Sequence, residues 1–75
     1  MMKYYKSAMF VPGKGQAWMF SEADEALKVY RTLTYIPMTN EIERIPDPVV
    51  KFLFMPDRLS PASEEEFLEL WNKPA

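Results

Sequence analysis

Lys3, Lys6 and Lys14 are interleaved with Tyr4, Tyr5, Phe10, Trp18 and Phe20 in the first twenty residues of the chain. Ammonium groups beside flat rings are what a single-stranded nucleic acid requires, the charges for its phosphates and the rings for its bases. Within the same run, Gly13-Lys14-Gly15 can present backbone N–H groups and an ammonium to a phosphate. It departs from the phosphate-binding loop pattern, in which GK is followed by Ser or Thr and a helix. Here Gly15 and Gln16 follow Lys14, and the next residues read as a strand. A hairpin turn with a solvated lysine is the simpler reading. Three lysines without an arginine make a thin basic footprint on a chain of pI about 5.0. Nucleic acid is therefore not the expected partner. Binding of nucleic acid or a phosphate ligand through Lys3, Lys6 and Lys14 stands as the alternative function.

Catalytic chemistry is sparsely provided for. The chain has no histidine and no cysteine, the residues most used for proton transfer and, beside serine, for nucleophilic attack. Asp47 and Asp57 flank the most apolar run of the second half, but an extended chain between them spans roughly 30 Å, too far for a paired-carboxylate mechanism. Glu64, Glu65 and Glu66 are consecutive, so a helix fans them around its surface as a charged first turn. Structural zinc needs Cys or His, and no acidic spacing of the calcium-loop type is present. The expectation is a chain with no catalytic residues, no metal site and no cofactor.

The elements that must position these residues follow from periodicity and turn chemistry. Lys3–Val11 reads as a strand rich in Tyr, Phe, Met and Val. Both of its alternating sets are apolar, which suits a strand covered on both faces or one whose second face meets another molecule. Pro12-Gly13 offers the fixed and the positive φ of a type II turn. Gln16–Phe20 then completes a β-hairpin. Ser21, with Glu22, Asp24 and Glu25 behind it, resembles a helix start. Ala23, Ala26, Leu27, Tyr30 and Leu33 recur at helical spacing, predicting a helix that fades before Pro37.

Between Tyr35 and Pro48, Glu41–Ile45 can form a short strand, but Pro37, Pro46 and Pro48 restrict it to an edge or an ordered loop. Val49–Met55 alternates so that Val50, Phe52 and Phe54 share a face, predicting a central core strand. A last helix starts at Ser60, with Pro61 in its first turn, or at Ser63, with Glu66 closing a capping box. Phe67, Leu68, Leu70 and Trp71 would hold it to the domain. The order strand, strand, helix, uncertain edge, strand, helix predicts a single α+β domain over residues 1–75. It consists of an N-terminal hairpin plus a further central strand packed with two helices.

Size and composition set the functional expectation. A 75-residue chain with 48% hydrophobic residues and 15% aromatic residues has little interior in which to hide them. Small domains commonly rely on a disulfide, a metal or a second subunit, and the first two are not provided for here. No run of residues is long and apolar enough to span a bilayer, and Tyr4, Tyr5, Lys6 and Ser7 interrupt the N-terminal stretch where a secretion signal would be apolar. A cytoplasmic setting is the expectation. All eleven acidic residues follow residue 20, leaving the hairpin basic and the remainder acidic. The residues lead to a non-catalytic interaction module, a regulator, inhibitor or subunit, binding through an aromatic hairpin face or a sheet edge. It is expected to be a homodimer or to have another protein partner, with Tyr4, Tyr5, Met9 and Trp18 at the contact. Soft and aromatic side chains are enriched in such centres.

Overall fold

A computed structural model describes residues 2–49, 51–53 and 58–74. Five strands and one helix follow one another: β1 Lys3–Val11, β2 Gly15–Ala23, β3 Val29–Ile36, β4 Glu41–Ile45, β5 Ser60–Ala62 and α1 Glu64–Asn72. They build one antiparallel sheet in the order β4-β3-β2-β1-β5. The first four strands are a meander of hairpins, and the chain then passes to the far border to add β5. The predicted α+β arrangement with two helices is corrected to a mainly antiparallel sheet with one short helix on one face.

The first hairpin forms as its residues dictate. The Lys14 N–H donates to the Val11 carbonyl at 3.0 Å, and Gly13 takes φ +80°, the left-handed value that a type II turn needs after Pro12. Gly15 follows at φ +98°. β2 continues well past Phe20, to Ala23.

The helix predicted from Ser21 to Leu33 is absent; the same residues finish β2, turn, and begin β3. Asp24 decides it. Its carboxylate accepts from the backbone N–H groups of Ala26 at 2.9 Å and Lys28 at 3.0 Å, holding a tight turn in which Leu27 sits at φ +67°. Acidic residues that suit a helix start suit such side-chain-closed turns equally. Beyond the turn, the run Val-Tyr-Arg-Thr-Leu-Thr-Tyr-Ile is β-branched and aromatic, and it pairs on both sides. Asn40 at φ +59° closes the next turn, and Glu41–Ile45 takes the border position open to it.

The described residues of Val49–Met55 do not form the predicted central strand. Hairpins already fill the interior of the sheet, and the described residues of this segment make one isolated bridge, Lys28 to Phe52. Phe52, predicted as core, is 60% exposed, and Val49 is 95% exposed. Val50, Phe54 and Met55 lie outside the described residues. Of the two helix starts, the later one forms. The Ser63 side chain accepts from the Glu66 N–H, and the Glu66 carboxylate accepts from the Ser63 N–H. Ser60 and Pro61 belong to β5 instead.

The core lies between α1 and the sheet. Tyr4 of β1, Phe20 of β2, Leu33 of β3 and Phe67 of α1 form its buried centre. Phe67 is fully buried, with its ring 5.2 Å from that of Tyr4 and 5.6 Å, stacked, from that of Trp71. α1 has no basic residue in its last turn, and Arg44 of β4 supplies that charge from outside. Its guanidinium donates to the carbonyls of Trp71 at 2.6 Å and Leu70 at 3.1 Å, and also to that of Lys73. A cation at a helix C-terminus satisfies carbonyls that have no partner within the helix.

Candidate functional site

Alternation along the strands assigns each predicted residue to a face. On β1, Tyr4, Lys6, Ala8 and Phe10 share the helix side. Tyr4 meets Phe67 and Lys6 reaches Glu66 at 3.2 Å. Tyr5 and Met9 therefore lie on the opposite face, while Trp18 of β2, paired with Ala8, returns to the helix side. The four expected contact residues are split between two faces. Tyr4 is buried at 9% exposure and serves the core.

Tyr4 also belongs to the one buried charged cluster among the described residues. Its hydroxyl donates to Glu22 Oε2 at 2.7 Å. Arg31 grips the same carboxylate with two bonds, Nε to Oε1 at 2.7 Å and Nη2 to Oε2 at 2.6 Å. The guanidinium carbon then stands 5.1 Å from the Phe67 ring and 4.8 Å from the Trp71 ring. Hydrogen bonds from Arg31, and then from Tyr4, hold the Glu22 carboxyl below its ordinary range. Burial, with the Glu22 bond added, pushes the Tyr4 hydroxyl up to about 12. Every partner in this cluster is another side chain of the same domain, and the geometry is that of a cross-strand brace under the helix. The pairing of Tyr4 with Glu22 and of Glu22 with Arg31 across neighbouring strands produces it, and no local sequence signal announces such a non-local contact.

The three candidate lysines do not converge. Lys3 sits at one end of β1 and on the face opposite Lys6. Lys14 is in the turn at the other end, roughly 26 Å away at 3.3 Å per residue. Lys14 bonds Glu41 at 2.6 Å, and Lys6 is paired with Glu66 while its ammonium lies 5.7 Å from the centre of the Trp18 ring. Glu64, Glu65 and Glu66 occupy the first turn of α1. Asp47 is taken by Lys51 at 2.5 Å, and Asp57 lies outside the described residues. Among the described residues no three acidic groups converge on a point that could hold a metal ion, and no helix is long and apolar enough to cross a membrane.

What the geometry does assemble is an uncovered aromatic surface. α1 is nine residues long, about 13 Å at 1.5 Å per residue, and it lies over the end of the sheet that carries Tyr4, Phe20 and Leu33. Toward the hairpin tip the helix-side face stays open. An open groove of about 330 Å³ runs there between α1 and the strands. Trp18, Phe20 and Tyr35 form its floor, with Leu70 on the helix wall. Lys6, Glu66, Glu69 and Lys73 form a charged rim. The Lys73 ammonium rests 5.8 Å from the Tyr35 ring centre, matching Lys6 over Trp18. Next to the groove, Phe10 is 72% exposed, in a shallow concavity it shares with Ala8, Met9 and Gln16.

Of the expected contact residues, Trp18 lies in this groove, and Met9 lines only the shallow concavity around Phe10. Tyr35, Leu70 and Lys73 come from stretches that the sequence reading assigned to an uncertain loop and to a packed helix. Phe10 was visible as an aromatic of the hairpin, but its exposure depends on where α1 stops. Comparison with known proteins adds no relative: no family model, no curated protein and no solved structure matches the chain.

Proposed function

We propose that this chain is a non-catalytic protein-interaction module, a regulator, inhibitor or subunit, that takes an apolar segment of a partner protein into the groove beside α1. The observation that supports this most is the mismatch between helix and sheet. A nine-residue helix leaves Trp18, Tyr35 and Phe10 half-buried or exposed on one continuous face. Aromatic rings inside a rim of charged side chains are the usual anatomy of a binding centre. The rings provide the affinity, and the rim excludes water and selects against wrong partners. Lys6 and Lys73 over the ring edges, alternating with Glu66 and Glu69, favour a partner whose apolar anchor is flanked by polar groups of both signs.

The reading is tested by purifying the tagged protein from its native cell beside two variants, Phe10→Ser at an exposed position and Trp18→Gln in the groove floor. Folding of each variant is checked by far-UV circular dichroism. The expected result is a stoichiometric companion of the wild type that both folded variants lose. A companion retained by both would place the interaction elsewhere on the molecule.

A further inference from the structure

Three stretches of strand edge border the sheet, and they differ in how they are protected. β4 closes one side, and its sequence Glu-Ile-Glu-Arg-Ile is dominated by charge. β5 closes the other side over Tyr4, Tyr5 and Lys6, and it carries Pro61. Past Lys6, β1 is the border among the described residues, with no described strand paired to its outer side from Ser7 to Val11. Lone edges are normally guarded by charge, by proline or by a bulge. Ser-Ala-Met-Phe-Val has no charge and no proline, and it keeps unbroken register with β2 from Ser7↔Met19 to Val11↔Gly15. Its side chains are exposed as well, Phe10 at 72% and Met9 at 41%.

We propose that this edge pairs with the same edge of a second copy of the chain, antiparallel, about a two-fold axis at Met9. The inference goes beyond the groove reading, since it concerns main-chain pairing at the strand border and a different partner. The register follows from the hairpin. The Val11 carbonyl points into the hairpin, where it accepts from Lys14. By antiparallel alternation, Met9 and Ser7 also turn their backbone groups toward β2, while Ala8 and Phe10 turn theirs outward. Tyr4 and Lys6 share that outward parity and meet β5. Only pairing Ala8 with Phe10 of the second copy uses every outward group of this stretch in both chains. It also sets the large ring of one copy against the small Ala8 of the other, in the concavity that Ala8, Met9, Phe10 and Gln16 line. The nearest charged residue, Lys6, is already paired with Ser60 of β5, so the contact ends at Ser7 opposite Val11 of the second copy and sets no like charges against one another. Such a two-fold contact closes on itself and leaves no further free edge of this kind among the described residues.

Met9 would face its own copy in a non-hydrogen-bonded pair, with Cα atoms about 4.5 Å apart, within the span of a disulfide. The chain has no native cysteine, so Met9→Cys provides a single thiol. Under mild oxidation it should form a covalent dimer at least about tenfold faster than Met38→Cys, a control at a more exposed position, because the pairing raises the local thiol concentration. Sedimentation equilibrium should show a dimer for the wild type. Ala8→Pro, which removes an outward N–H and leaves the pairing with β2 intact, should give a folded monomer. A wild type monomeric at its highest soluble concentration would overturn the proposal. So would Met9→Cys cross-linking no faster than Met38→Cys. Should Ala8→Pro fail to fold, the Met9→Cys rate decides alone. Groove binding has its own readout, cross-linking from position 18, so either idea can fail without the other.

Discussion

Phe67→Ala is the perturbation that most directly weighs the docking of α1. Phe67 is the only residue of α1 with a fully buried side chain. Its ring lies against Tyr4 and Trp71 at 5.2 and 5.6 Å, and against the Arg31 guanidinium at 5.1 Å. Truncating a buried Phe to Ala costs about 3–5 kcal/mol, more where the surroundings cannot collapse into the space. Here the floor is a hydrogen-bonded sheet with Leu33 fully buried in it, which favours the upper half of that range. A domain of this size has roughly 4–11 kcal/mol of stability at 0.05–0.15 kcal/mol per residue, so the substitution removes a third of it or more. The detached helix would not persist, because a helix of this length is marginal alone in water. Urea titration followed by tryptophan fluorescence and by far-UV circular dichroism should show a lower midpoint in both signals. The melting temperature should fall by well over 10 °C, at about 4–8 °C per kcal/mol for a small domain. A loss below about 1 kcal/mol, approaching that of a surface substitution, would refute the docking of the helix through this ring.

Glu22→Gln leaves Arg31 without its counter-charge beneath the helix. It should cost about 2–3 kcal/mol, below the 3–5 of a fully enclosed pair because the Arg31 side chain is 29% exposed, as read by urea denaturation. Two titrations bracket the stability in pH. Tyr4 holds its proton up to about 12 in the folded state against about 10 unfolded. Stability is therefore full below pH 10 and falls as pH rises toward 12, and Tyr4→Phe should flatten that alkaline limb. Glu22 has the opposite sign: its lowered value adds stability above the unfolded carboxylate range that is lost as pH falls through the folded value, and thermal melts of Glu22→Gln should lose that acid limb. Phe52→Ala, at a ring that is 60% exposed, should shift stability by less than about 1 kcal/mol. A loss near that of Phe67→Ala would restore Phe52 to the core.

The parts of the fold that were legible in the sequence are those decided by neighbours in the chain. Pro12-Gly13 sets the first turn whatever surrounds it, and Ser63 with Glu66 caps α1 through contacts three residues apart. The run from Ser21 to Leu33 was misread because two periods coexist there. Ala23, Ala26, Leu27, Tyr30 and Leu33 fit a helical stripe, while Arg31, Leu33 and Tyr35 alternate with Thr32, Thr34 and Ile36 as a strand. The tie is broken by Asp24 closing a turn and by Glu22 finding Arg31 across two strands, neither of which is visible as a pattern. Val49–Met55 carries a strong strand composition, but the antiparallel hairpins before it already occupy the interior of the sheet, and its described residues stay outside. The groove was half legible: Trp18 and Phe10 stood out as aromatics of the hairpin, whereas Tyr35 and Lys73 join them only once β3 and the end of α1 are placed side by side.

The claim that the groove beside α1 receives a partner is tested most directly by a photo-crosslinking amino acid at position 18, expressed in the native cell, with the exposed position 43 on β4 as control. The prediction is a discrete covalent adduct with another polypeptide from position 18 and none from position 43. Adducts of equal yield from both positions, or from neither, would contradict it.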